Sequence, residues 1–430
     1  MAEQSTTQQE ATDRPRRWRI VGPGLVVAAT GVGAGDLATT MVAGSSYGYT
    51  LLWAAVVGCL VKIALAEATG RWHLASESTI FAGWSSLGWW TSVYFGPYVV
   101  VWGFVYGAAA MQSTALPLAA LFPQLSFNTW AIVSGLVGLA LVLLNRYEVF
   151  EKIIAVLVAV MFVTVVTAAV LAVPTLPDAL AGLVPVIPEG GVFYTLGLVG
   201  GVGGTITMAA YGYWLHAKGW HDRSWLRVMR LDNSVAYVMT GIFVIAMLIV
   251  GAELLSAVDI ASADEEALFR VGAVLEDRYG AVLRWLFLIG FWATSFTSLI
   301  GVWNGVSLLF ADFAASVSAR LRGRDVPSIE ERASTTSPWF RGYVLWLTFP
   351  PMLLLLLGEP IAIIVAYGVL GAVFLPFLAL TLLWLLNSSR VPPEMRNGWV
   401  SNVMLSLAGL LFFVVAFDEI RGVVTDYLAG

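Results

Sequence analysis

Long apolar runs follow one another through most of this chain, separated by short polar stretches. A helix needs roughly 20 apolar residues to cross a hydrocarbon core of about 30 Å. Runs of that length predict about eleven spans, at residues 21–44, 49–69, 91–118, 128–145, 149–173, 193–216, 231–254, 281–311, 341–357, 360–387 and 398–417. Helices satisfy their own backbone hydrogen bonds in lipid, so the expected class is an all-α integral membrane protein. Residues 1–19 are polar and read as a disordered tail. No cleavable signal peptide is expected, because the first apolar run is too long and lacks a small-residue cleavage site.

Composition agrees with the pattern. Of 430 residues 59% are hydrophobic and 12% charged, about half the charge of a soluble domain. Cys59 is the only cysteine, so neither a disulfide framework nor a cysteine metal site is expected. The segments 253–278 (acidic, with Asp264, Glu265 and Glu266) and 314–340 (rich in Ser and Arg) read as solvated connectors.

Lys and Arg gather on the cytoplasmic side of membrane proteins. With the N-terminus inside, that side holds eighteen: Arg14, Arg16, Arg17, Arg19, Arg71, Arg146, Lys152, Lys218, Arg223, Arg227, Arg230, Arg320, Arg322, Arg324, Arg332, Arg341, Arg390 and Arg396. The outer side holds four, Arg270, Arg278, Arg284 and Arg421, and Lys62 falls within a span. The asymmetry places the N-terminus in the cytoplasm and the C-terminus outside the cell membrane.

Two spans are interrupted by glycine. Span 1 contains Thr30-Gly-Val-Gly-Ala-Gly-Asp36, and span 6 contains Gly200-Gly-Val-Gly-Gly-Thr205. Gly weakens a helix by about 1 kcal/mol relative to Ala, and unwound backbone is tolerated in a membrane only where it is buried or lines a cavity. Such breaks at matching places in two halves point to an inverted-repeat transporter with its site between them. The repeats would be residues 20–173 and 193–387, with 398–417 as an added eleventh span. The expected unwound stretches are Gly33–Asp36 and Thr207–Gly212.

The stretch from Gly22 to Trp53 resembles the first-helix signature of the NRAMP family of proton-coupled divalent metal transporters. It has the Gly-Pro-Gly start, Ala38-Thr39 after the motif and the Gly48-Tyr-x-Leu-Leu-Trp53 end. Resemblance continues over Asn145–Met161, at Trp214-Leu215-His216 and at Leu375-Pro-Phe377. It implies a LeuT-like 5+5 inverted repeat with the substrate between spans 1 and 6. The departures fall on the site. The family's Asp-Pro-Gly-Asn is here Gly33, Ala34, Gly35 and Asp36, and its Met-Pro-His is Ala209, Ala210 and Tyr211. His216 keeps the place of the family's second span 6 histidine, and Gly368 stands where a polar amide is expected in span 10.

Two readings of the substrate stay open. Thioether and imidazole suit transition metals, whereas hard cations prefer oxygen. Near the breaks stand Asp36, Tyr211, Thr30, Thr205, Thr207 and free backbone groups. In one reading these hold a divalent cation such as Mg²⁺ or Mn²⁺, with Asp36 as the metal ligand. In the other the substrate is a small anion such as bicarbonate, held by half-helix N-termini, and Asp36 holds a coupling ion. Candidates for the coupling ion, H⁺ or Na⁺, are Asp36, His216 and the span 8 hydroxyls Thr294, Ser295, Thr297 and Ser298. Charges inside spans usually mark function. Lys62 is expected either to snorkel to the inner surface or to partner Asp36, Glu67 or an anion, Glu67 to pair with Arg71 four residues on, and Asp232 and Asp312 to act as gate or capping charges. No organic cofactor, nucleic acid or second subunit is expected. An enzyme is not expected either, since there is no Gly-x-Ser-x-Gly elbow, phosphate loop or His-x-x-x-His pair among His73, His216 and His221. A channel would show a repeated filter or rings of like charge, and neither is present.

Overall fold

The computed structural model describes residues 22–144, 147–172, 176–201, 203–255, 273–357 and 360–429. The regular elements among them are helical. Asp264, Glu265, Glu266 and the tail 1–19 lie outside the described residues.

The chain opens with α1 (Pro23–Thr30) and α2 (Ala34–Tyr47), two half-helices of one apolar run. Pro23 suits the first helical position, where no partner for its missing N–H is needed. Next come α3 (Leu52–Ser76), the short α4 (Ile80–Ser86), α5 (Trp89–Leu121), α6 (Phe127–Leu143) and α7 (Tyr147–Ala172). After the short α8 (Leu176–Ala181), a second broken run forms α9 (Val192–Gly201) and α10 (Thr207–Ala217). The remainder is α11 (Leu226–Val250), α12 (Ala281–Leu321), α13 (Ile329–Arg332), α14 (Pro338–Thr348), α15 (Pro360–Leu386) and α16 (Trp399–Ala429).

Among the described residues, eight helices are long and apolar enough to cross a membrane. The 17-residue apolar α6 and the two interrupted pairs bring the number of spans to the eleven expected. The outer surface of the bundle is apolar: Val163, Leu356, Trp399 and Phe413 are all more than half exposed, as lipid-facing residues are. The most apolar stretches of α5, α11 and α12 are 72–78% buried and those of α7, α14 and α16 only 33–39%. The first three form the centre of the bundle and the last three its rim. α1 packs on α11 and α12, and α10 packs on α3 and α12, so both breaks sit at the centre.

Three sequence expectations are corrected here. The segment 314–340 is not a continuous loop: α12 runs on to Leu321, because Ala314 to Leu321 contains neither Gly nor Pro and is rich in good helix formers. Span 9 begins earlier, at Pro338, and its α-helix ends at Thr348. Pro350 and Pro351 tighten the rest into a 3₁₀ helix, Pro350–Leu357, since each proline lacks a donor for the α-helical ladder. The breaks also fall earlier than expected. Gly33–Asp36 runs into the first turn of α2, and Thr207–Gly212 is continuous helix. The unwound residues are Gly31–Gly33 and 203–206, where Gly203 (φ +70°) and Gly204 (φ +88°) adopt a backbone that side chains disfavour.

Candidate functional site

A helix end leaves unsatisfied carbonyls and a helix start leaves unsatisfied N–H groups. Each break therefore presents both kinds of group inside the bundle. The two breaks meet through backbone: the Gly204 amide donates to the Gly31 carbonyl at 3.0 Å. A Cβ on Gly31 would overlap Gly203 and Gly204, so only glycine allows the approach.

Neighbouring helices bind the other freed carbonyls. Ser298 Oγ, on α12, donates to the Thr30 carbonyl at 2.9 Å, and the Tyr106 hydroxyl of α5 donates to the Ser298 carbonyl at 3.1 Å. The Tyr237 hydroxyl of α11 reaches the Gly203 carbonyl at 3.3 Å. Lys62, fully buried on α3, donates through Nζ to the Gly204 carbonyl and lies 5.2 Å from the centre of the Phe412 ring. The expectation that Lys62 snorkels to the surface is thus wrong. The freed carbonyl next to a helix break offers the ammonium a partner inside the bundle.

The remaining candidates divide. Thr207 is buried at the start of α10, and its hydroxyl has no hydrogen-bond partner among the described residues. Ala209, two residues on, is fully buried. Tyr211, also fully buried, sends its hydroxyl to 3.5 Å from Asp232 Oδ2 and not toward the other break. Gly33 lies at the first break. Asp36 stands in the first turn of α2, and the placement of its side chain lies outside the described residues. On α12, Thr294 and Thr297 bond back to the carbonyls of Gly290 and Ala293, a common use of hydroxyls within a helix. Of the named hydroxyls of α12, Ser298 touches the break, and Ser295 Oγ has no partner among the described residues. On α15, a Cβ at Gly371 would touch Thr205, whereas one at Gly368, a turn earlier, would meet nothing within 4 Å.

His216 is not at the break. It follows Thr207 by nine residues along α10, about 14 Å at 1.5 Å per residue. The charged residues form a separate layer at the free end of α1. Asp232 on α11 accepts from the Gly22 and Gly24 amides at 3.0 and 2.5 Å, capping α1. Glu151 pairs with Lys218. Glu67 pairs with Arg71 at 3.1 Å and with Arg230 at 2.8 Å, joining α3 to α11. Asp312 accepts from the Tyr213 hydroxyl at 2.7 Å and lies 2.8 Å from Arg332 Nε. With Trp214 donating to Asn304 at 2.8 Å, these contacts fasten α10 to α12. Cavities of about 760 and 420 Å³ lie beside α5 on the apolar flank, lined by residues such as Pro97 and Trp339 or Tyr94 and Phe413. Neither includes a residue of the breaks.

Tyr106 and Tyr237 were not foreseen as site residues. Each is one aromatic among many in an apolar span, and nothing in its local sequence marks the Tyr237 hydroxyl as aimed at a break or the Tyr106 hydroxyl as aimed at Ser298. The adjacent glycines 203 and 204 did carry a signal, since such a pair is where a positive φ is most easily held.

Comparison with known proteins follows the same lines. The chain is 25% identical over 424 residues to the divalent metal cation transporter MntH of Mycobacterium leprae, covering 92% of this chain and 91% of that one. Its fold is similar to that of a manganese transporter from Eremococcus coleocola (TM-score 0.78, 16% identity, 97% of this chain and 90% of the other). It is also similar to a nucleobase-cation-symport-1 family transporter (TM-score 0.58, 12% identity, 94% and 93%). The fold is thus the LeuT-like one, with spans 1 (α1 and α2) and 6 (α9 and α10) interrupted. Residues 24–420 match the natural resistance-associated macrophage protein-like family, Nramp, and the chain belongs to that family.

Proposed function

We propose that this protein is a secondary active transporter that carries a divalent metal cation across the cell membrane by alternating access, and that it is not an enzyme. The observation that carries the reading is the Gly204–Gly31 hydrogen bond, which brings two interrupted helices together at the centre of the bundle. Family membership and the MntH relative favour a divalent cation. The residues favour a hard one. Ala209 replaces a thioether, and the groups nearby are oxygens: Thr30, Thr205, Thr207, Asp36 and the break carbonyls. Magnesium, or manganese bound through oxygen, suits that set.

In this reading residues 20–173 and 193–387 are the two inverted repeats, and the movement of one against the other opens the site to each side in turn. The layer of Asp232, Glu151–Lys218 and Glu67–Arg71–Arg230 forms the cytoplasmic gate, with the N-terminus inside, the C-terminus outside and a single chain as the working unit. Either H⁺ or Na⁺ drives the cycle in this reading, with Asp36, the carboxylate of the first broken run, and Ser298, bonded to the Thr30 carbonyl, as its candidate sensors.

One observation favours a second reading. Lys62 sets a buried ammonium against the second break, and positive charge there suits a small anion such as bicarbonate. Flux into proteoliposomes of Mg²⁺, Mn²⁺ and bicarbonate, each with and without H⁺ and Na⁺ gradients, tests both. Gradient-driven uptake of Mg²⁺ or Mn²⁺ supports the cation. Uptake of bicarbonate alone overturns it.

A further inference from the structure

The chain has three histidines, and all three meet at one place. His73 stands in the last turn of α3, His216 in the last turn of α10, and His221 in the connector that follows. The fold brings them together by specific backbone devices. At the end of α10 the Gly219 amide donates to the His216 carbonyl, and the Trp220 amide to the Leu215 carbonyl, both at 2.9 Å. With Gly219 at φ +84°, this is the glycine-dependent reversal that ends many helices. It folds the chain back so that the His221 ring lies 4.6 Å from that of His216. On α3, Glu77 takes a left-handed conformation (φ +50°) beyond the helix end. The Ser78 carbonyl then lies 3.1 Å from His73 Nδ1.

That contact has a chemical consequence. An Nδ1–H donating to a carbonyl fixes the tautomer and leaves the Nε2 lone pair available, the usual arrangement behind a metal-bound histidine. His73 is 2% exposed, and its Nε2 has no hydrogen-bond partner within normal geometry among the described residues, the Trp220 backbone being its polar neighbour. One ligand nitrogen from each ring can be chosen so that all three lie within 4.8 Å of one another. Tetrahedral coordination at ~2.0–2.1 Å sets ligand nitrogens about 3.4 Å apart. Small ring rotations close the difference, and His221 is exposed and His216 partly so. Glu330, on α13, reaches to 3.6 Å from His216 Nε2 and is itself largely exposed.

We propose that His73, His216 and His221 form a second divalent-metal site, distinct from the helix breaks, that takes imidazole-preferring ions such as Zn²⁺ or Co²⁺, with Glu330 as a fourth ligand. Its donor set contrasts with the oxygen-rich breaks, so the two sites select different ions. Its ligands come from α3, α10, the following connector and α13. Occupation therefore ties the end of α10, the half-helix that carries the second break, to its neighbours. The inference stands whatever the transported substrate is.

The test uses tag-free, full-length protein in detergent micelles. Co²⁺ is added and the visible spectrum recorded, followed by competition with Zn²⁺. The wild type is expected to give the intense absorption of tetrahedral cobalt, displaced by Zn²⁺. His221→Ala, in an exposed connector, is expected to bind Zn²⁺ at least about tenfold more weakly and to lose the band. His73→Gln is expected to do the same, with its melting temperature recorded to check folding. Asp36→Asn is expected to leave the band unchanged. A band that persists in His221→Ala, or one abolished by Asp36→Asn, overturns the proposal. Hydrogen exchange of amides 214–222 reads the fastening: Zn²⁺ slows it in the wild type and not in His221→Ala. Equal exchange with and without Zn²⁺ in the wild type overturns that part.

Discussion

The Gly204 amide donates to the carbonyl of Gly31 at 3.0 Å, and through it two interrupted helices from opposite halves of the chain are joined backbone to backbone. No side chain intervenes at this point. The approach requires the absence of a Cβ on Gly31 and a positive φ at Gly204.

Gly31→Ala and Gly204→Ala therefore fail for different reasons. The Gly31 Cβ would overlap the backbone of Gly203 and Gly204, which no rotamer change relieves. Overpacking of this kind costs about 1–3 kcal/mol. At Gly204 the cost is a side chain held at φ +88°, about 1–3 kcal/mol for a strained residue. Both variants are expected to lower the melting temperature and reduce flux in proteoliposomes at least tenfold. Wild-type flux in Gly31→Ala would show that the breaks need not touch.

Lys62 links α3 to this junction by donating to the Gly204 carbonyl. Lys62→Met keeps length and apolar bulk but removes the donor. A hydrogen bond from a charged group contributes about 1.5–3 kcal/mol, so a loss of that order is expected in chemical denaturation. Flux also separates the two substrate readings. If the substrate is a cation, removing the positive charge spares or tightens its apparent affinity while turnover falls with the loosened break. If it is an anion, apparent affinity weakens.

Lys62 also shows where sequence reading stops. The spans, their number and the two glycine interruptions were legible, because each depends on local composition against a fixed membrane thickness. The exact unwound residues were not. A run such as Gly200 to Thr205 can open at several points, and the choice was made by contact with Gly31, 170 or so residues away in sequence. Lys62 reads as a surface-seeking charge within its own helix, and only the freed carbonyl of another segment makes its burial possible. Tyr237 was illegible for the same reason, since the Gly203 carbonyl it approaches is freed only once the helix breaks, and Tyr106 because it acts at one remove, on Ser298 of another helix.

Asp232 caps α1 with both carboxylate oxygens, on Gly22 and Gly24. Replacing a helix N-cap by Ala costs about 0.5–2 kcal/mol, and Asp232→Ala is expected to fall in that range in denaturant melts. Asp232→Asn keeps one acceptor oxygen and is expected to lose less. Because the cap ties α11 to the free end of α1, amides 22–30 are expected to exchange faster in Asp232→Ala. Unchanged exchange would remove Asp232 from the gate.

Ala209 stands where the resemblance to this family leads one to expect a methionine, and a thioether favours softer transition metals over Mg²⁺. Ala209→Met is expected to raise uptake of Mn²⁺ relative to Mg²⁺, measured in one proteoliposome preparation by competition. The site is fully buried, so the longer side chain must enter the space beside the breaks or strain α10, and a melting curve distinguishes the two. A Mn²⁺ to Mg²⁺ ratio identical to wild type in a well-folded variant would mean that position 209 does not face the ion.

Asp36 is the only carboxylate in the two broken runs, residues 22–47 and 192–217. In the proposed reading a positive charge bound between them meets that one full negative charge, and the rest of its coordination comes from neutral oxygens. A hard divalent cation bound mostly through neutral oxygens depends heavily on that one charge, since magnesium is usually held by one or two carboxylates. Asp36→Asn keeps size and one oxygen while removing the charge. If the ion is the substrate, cation uptake is expected to fall at least tenfold at every pH and sodium concentration, with no recovery when the gradient is raised. If Asp36 instead holds the coupling ion for an anion, bicarbonate is still exchanged across the membrane at equilibrium, and only gradient-driven accumulation is lost. Measuring exchange and accumulation on the same variant separates the two roles, and wild-type behaviour in both removes Asp36 from the transport cycle.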